Sequence, residues 1–103
     1  MSETSYLNRD NTVDLQLFDS GVAVDLTSVT RMLLKLTGPA AQTVDSNVSA
    51  GAFDWSAGSG KLTISLGGET IVPGTYTATL IVYDPTNASG IVWDEFTLIV
   101  EKI

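Results

Sequence analysis

Apolar residues fall on every second position in four separate runs of this chain. These are Val13, Leu15 and Leu17; Met32, Leu34 and Leu36; Leu62, Ile64 and Leu66; and Tyr76, Ala78, Leu80 and Val82. Successive side chains of an extended strand point to opposite faces, so a two-residue period puts one wall of each strand in a core and the other in water. Turn chemistry separates the runs: Asp19-Ser20-Gly21, Gly38-Pro39, Gly58-Ser59-Gly60, Gly67-Gly68, Pro73-Gly74 and the stretch DPTNASG over 84–90. Glycine supplies positive φ at such places, proline a fixed φ, and aspartate a side-chain acceptor for nearby backbone N–H groups. No segment carries a capped 3.6-residue apolar period, so essentially no α-helix is expected. The fold class is all-β.

After the run at 12–21, further strands are expected at 22–26, 29–36, 42–49 (a weaker, edge strand), 52–56, 61–66, 75–83 and 91–100. Seven or eight short strands with turns about every 8–12 residues predict an immunoglobulin-like antiparallel β-sandwich, formed by residues 1–103 as one domain. In that arrangement three strands share a sheet, here 29–36, 75–83 and 91–100. The inward side of 75–83 then buries Tyr76, which follows Pro73-Gly74 where sandwiches place a corner tyrosine, and its hydroxyl needs a backbone partner in the 67–72 turn.

The outward side of the same strand is less ordinary. Thr75, Thr77 and Thr79 face water, but Ile81 and Tyr83 continue that face as large apolar residues. A symmetric hairpin through 84–90 pairs Ile81 with Trp93 and collects Leu33, Ile81, Tyr83, Ile91, Trp93 and Ile99 into a candidate interface. Alternatively, a β-bulge at Asp94-Glu95 sends both acids outward and turns Trp93 into the core, because an unpaired buried carboxylate is costly. Leu33, Ile81 and Ile99 belong to the face in either case. Pairing along open strand edges, through 42–49 or the N-terminal segment, is a second route to association.

Chemistry for catalysis is sparse. The chain has neither cysteine nor histidine, which removes disulfides, thiolate metal sites and the commonest general base. Asp94-Glu95 is the one adjacent acidic pair, and strand neighbours point to opposite faces. Asp84 and Asn87 in DPTNASG offer oxygens for calcium but lack the ligand count, and an Asx turn fits better. GSGKLT over 58–63 lacks the first glycine and the helix of a phosphate loop. The chain is therefore expected to be non-enzymatic and to carry no metal or cofactor. Five basic and twelve acidic residues give a net charge of −7, which disfavours nucleic acid and anionic membranes as partners. The N-terminus lacks the basic and apolar regions of a secretory signal, and no apolar run is long enough to span a bilayer, so synthesis and folding in a cytoplasm are expected.

NRDNTVDLQLFDSGVAVDLTSVTRMLLKL, GKLTISL, VPGTYTATLIVYD and FTLIV occur in that order. This succession resembles the N-terminal immunoglobulin-like domain of upper baseplate proteins in tailed bacteriophages. The matching marks are the D-x-G turn at Asp19 and Gly21, the V-D-L-T segment from Val24 to Thr27, and the G-x-Y of Gly74 and Tyr76. The resemblance spans nearly the whole chain. It implies a virion structural subunit of the tail, baseplate, neck or capsid surface, acting by self-association, as a homo-oligomer in the particle, or by docking on other virion proteins. Members of that family continue into a linker and a receptor-binding or coiled-coil region, whereas this chain stops at Ile103, which favours a free-standing subunit. The alternative is a carbohydrate- or host-receptor-binding module, with Trp93 or Tyr83 stacking on a sugar ring.

Overall fold

Two of the alternating runs become central strands of one sheet, and the other two pair in a second sheet. The computed structural model describes residues 2–19, 21–23, 25–55 and 60–102. Among these, ten strands occur: β1 (Ser2–Leu7), β2 (Thr12–Gln16), β3 (Phe18–Asp19), β4 (Val22–Ala23), β5 (Arg31–Thr37), β6 (Gln42–Asp45), β7 (Phe53–Trp55), β8 (Lys61–Ser65), β9 (Gly74–Tyr83) and β10 (Ile91–Lys102). The only helical piece among the described residues is a 3₁₀ turn at Ala50–Ala52. The chain is all-β, with two main sheets in a sandwich-like arrangement.

The larger sheet runs β1-β10-β9-β5-β6 and the smaller β2-β8-β7, while β3 and β4 form a separate short hairpin. All neighbours pair antiparallel except β1, which runs parallel to β10 with Ser2 opposite Thr97 and Leu7 opposite Lys102. The expected edge strand at 42–49 forms only over Gln42–Asp45, and it does lie at a sheet edge. Beyond it the chain turns, with Val48 N and Ser49 N both donating to Asp45 O. The expected strand at 22–26 is reduced to Val22–Ala23. Val24 lies outside the described residues, and Asp25 bends the chain by accepting from Thr27 N and Thr27 Oγ1. Ser20 of the expected turn Asp19-Ser20-Gly21, and residues 56–59, which include Gly58 and Ser59 of the expected turn Gly58-Ser59-Gly60, also lie outside the described residues.

The alternating positions meet between the sheets. Met32, Leu34, Leu36, Tyr76, Leu80 and Leu98 from the larger sheet and Val13, Leu62 and Ile64 from the smaller are at most 1% exposed. Their period-two neighbours Asp14, Gln16, Lys35, Thr75 and Thr77 are exposed. At about 25 cal/mol per Å² of apolar surface, each fully buried leucine or isoleucine contributes roughly 1.5–3 kcal/mol, and this burial is what holds the sheets together. Tyr76 occupies the corner expected of it. Its ring is 1% exposed, and its hydroxyl donates to Val72 O at 2.5 Å, within the turn that precedes β9.

Candidate functional site: the outer face of the larger sheet

Cross-strand partners share a face, so the registers fix which side chains stand together on the solvent side. Leu33 lies opposite Ile81 and Arg31 opposite Tyr83. The register between β9 and β10 corrects the symmetric pairing of Ile81 with Trp93. Val92 stands opposite Ile81 and Asp94 opposite Leu80, with an irregularity between Val92 and Asp94 that gives Trp93 no partner of its own. The bulge thus falls one residue earlier than Asp94-Glu95.

Its effect is in part the one that alternative called for: Trp93 turns inward and Glu95 outward, but Asp94 stands opposite the buried Leu80. Trp93 packs, half-buried, against the core, while Asp94 stays half exposed and Glu95 fully so. A regular ladder continued from Glu95 opposite Thr79 would set Trp93 opposite the outward Ile81. The extra residue leaves Asp94 beside Leu80 and instead turns Trp93 toward the core, burying part of an indole. Two expected members of the interface consequently leave the outer face. Trp93 turns toward the core, and Ile91 stands opposite the buried Val82 at the rim, 37% exposed. Val92, absent from the expected set, takes their place and is 63% exposed. Ile99 is on the outer face, opposite Thr75, but six residues of β9 separate that position from Ile81. That is about 20 Å at ~3.3 Å per residue, so Ile99 is isolated from the other apolar residues.

The chain itself covers much of what remains. The Arg31 guanidinium lies 4.7 Å from the centroid of the Tyr83 ring, a cation–π distance, and also forms an ion pair with Asp45 on β6. On the other side, the end of the 84–90 loop lies against the same residues. A Cβ at Gly90 would fall 2.5 Å from Ile81 Cγ2 and 2.8 Å from Tyr83 Cε2. Gly90 also has φ +84°, where a side chain is strained, so only glycine lets the loop close this tightly. Asp84 sets up that closure by accepting from Thr86 N, Asn87 N and Asn87 Nδ2, an Asx turn. Leu33, Ile81 and Tyr83 are accordingly half-buried. Val92 and the rows below them are open.

Those rows are regular. Below Leu33–Ile81–Val92 comes Lys35–Thr79–Glu95, then Thr37–Thr77–Thr97. One side of the face is basic, on β5, and the other acidic, on β10, with small β-branched residues between. Elsewhere on the surface, Asp14, Gln16, Lys61 and Thr63 line an open depression of about 390 Å³ on the smaller sheet. Trp55 and Trp93, the rings that a sugar-binding role would expose, are both half-buried against the core.

Electrostatics at the face are simple. Arg31 Nε and Nη2 both donate to the Asp45 carboxylate, and Asn47 N donates to Asp45 Oδ1. These bonds, the Arg31 pair foremost, hold the Asp45 carboxyl below its ordinary range, and the same pair raises Arg31 further. Because the folded value is depressed, the pair's contribution to stability is fully present above the unfolded carboxyl pKa of about 3.9 and is lost as pH falls through the lower folded value. A carboxyl NMR titration should place Asp45 below an ordinary aspartate. In Arg31→Met its midpoint should rise but stop short of the ordinary value, since the Asn47 N–H still donates. An Asp45 midpoint indifferent to Arg31 would show that the ion pair does not persist in solution.

No protein-family model matches the chain, and no curated protein matches it in sequence.

Proposed function

We propose that this protein is a non-enzymatic bacteriophage virion structural subunit that works through the outer face of its larger sheet. In this reading the sandwich is immunoglobulin-like. The grouping of β2, β7 and β8 in one sheet and β5, β9 and β10 in the other supports that class, as does the corner tyrosine. The observation that carries the functional proposal is the outer face itself. It presents open Val92 beside Leu33 and Ile81, continues as an ordered array of small residues and charges, and is built on rigid strands rather than loops. The resemblance of the D-x-G turn, the V-D-L-T segment and the Gly74/Tyr76 corner to upper baseplate domains supplies the context. Partners are other virion proteins or further copies of the chain, in a tail, baseplate, neck or capsid surface assembled in the host cytoplasm.

The test is composition of the particle. The protein should co-purify with intact virions of the phage that encodes it, and cross-links should map to the β5–β9–β10 face. Val92→Glu, a change at an exposed position, should release the subunit from particles while leaving its folding intact. Absence of the protein from purified virions would refute the assignment.

A further inference from the structure

We propose that the outer face of the larger sheet binds a second copy of the same chain, related by a two-fold axis that lies in the face and runs along β9. This rests on the functional reading above, and names the partner of that face. The order of strands and rows gives the reason. Rotation about an axis along β9 leaves each row at its own height but exchanges the two flanking strands, so β5 of one copy comes to face β10 of the other. Lys35 and Glu95 belong to one row, on either side of Thr79. The rotation therefore sets Lys35 against the Glu95 of the other copy, and repeats the pairing on the other side of the axis. Residue i contacting j while j contacts i is the signature of an isologous contact.

The neighbouring rows match under the same operation. Leu33 meets Val92 and Ile81 meets its own counterpart, an apolar row against an apolar row. Thr37 meets Thr97, and Thr77 meets itself. No like charges are brought together in these three rows. Lys35 has no ion-pair partner among the described residues, and Glu95 only a long contact from Thr79 Oγ1 at 3.4 Å, so both charges remain available. Asp45, beyond Leu33, already has Arg31. Sheets packed face to face cross at about 30°, which keeps the central rows closest and spreads the corners apart.

The face also bounds the strength of the contact. Five strands about 4.8 Å apart, along roughly seven residues at ~3.3 Å, give an area near the small end of specific interfaces. The dimer should accordingly be reversible and weakened by salt, because two exposed charge pairs set its orientation.

Sedimentation equilibrium of the intact protein at low ionic strength provides the test, with Lys35→Glu, Glu95→Lys and the double reversal, each checked for native circular dichroism. Each single reversal replaces two attractions with two like-charge contacts, so dimerisation should weaken by at least about tenfold. The double reversal restores both attractions and should return affinity to within about threefold of the original, as coupled pairs do in a mutant cycle. A wild-type protein that stays monomeric at its solubility limit would overturn the proposal, as would a dimer indifferent to the single reversals or a double variant that remains monomeric. The outcome is separable from the particle test. A monomer still found in virions refutes only the self-association, whereas a dimer absent from virions refutes only the assignment to the particle.

Discussion

Tyr76→Ala should cost about 3–5 kcal/mol in chemical denaturation, the largest single loss expected on this surface or in this core. The ring is 1% exposed and stands between the sheets at the entry to β9. Truncation leaves a cavity that strands hydrogen-bonded on both sides cannot close by shifting. It also removes the donor to Val72 O, the bond that ties the 67–72 turn to the strand after it. Tyr76→Phe separates the two contributions. It keeps the ring and deletes only the hydroxyl, and should cost about 1–2 kcal/mol by leaving that carbonyl without its partner. Tyr83→Phe is the matched control. The Tyr83 ring lies on the outer face under Arg31, and removal of its hydroxyl should be close to neutral. A neutral Tyr76→Phe beside a costly Tyr83→Phe would contradict the assignment of inner and outer faces.

Gly67→Ala should be the second most damaging change, at about 2–4 kcal/mol, from overpacking plus a weakened hydrogen bond. Here the problem is space rather than backbone angle. A Cβ at Gly67 would fall 2.0 Å from the carbonyl oxygen of Arg9, and no flexible side-chain end is available to give way. The two segments are held together by Asn8 N donating to Gly67 O at 2.8 Å, so relief of the clash pulls on that bond. Asn8 itself adopts φ 59° to make the turn that leads from β1 to β2. Gly68→Ala distinguishes this cause from a general need for glycine in the turn. A Cβ there meets nothing within 4 Å, and the variant should be neutral or slightly stabilised. Equal losses at 67 and 68 would point to turn geometry instead of the close approach of residue 9.

Much of the framework was legible because strand faces and turns are local. Val13, Leu15 and Leu17 alternate in the sequence and are all buried, and Phe53 and Trp55 face the core from β7. Tyr76 could be placed, with its hydroxyl partner, from Pro73-Gly74 and the alternation after it. β1 was not legible as a strand. Its inward positions include Ser5, 1% exposed, and only Leu7 gives an apolar signal. What makes that segment a strand is the open edge of β10, a partner nearly a hundred residues away in sequence. The candidate face was legible in part. Leu33, Ile81, Tyr83 and Ile99 do point outward, but Ile91 and Trp93 do not, and Val92 does.

The sequence by itself determined the all-β class, the inner and outer sides of the central strands, the turn positions and the buried corner tyrosine. Each follows from a period of two or from the backbone freedom of single residues, and neither needs a distant partner. Only the tertiary structure decided the register of β10 on β9. A one-residue bulge reverses the side on which every residue before it stands, and whether it forms depends on what is gained by burying part of Trp93 in a core that exists only once both sheets have met. The structure alone also decided how much apolar surface stays open. Arg31 from β5 and Gly90 from the loop close over Tyr83 from two sides, a convergence of residues 31, 83 and 90 that no local pattern encodes.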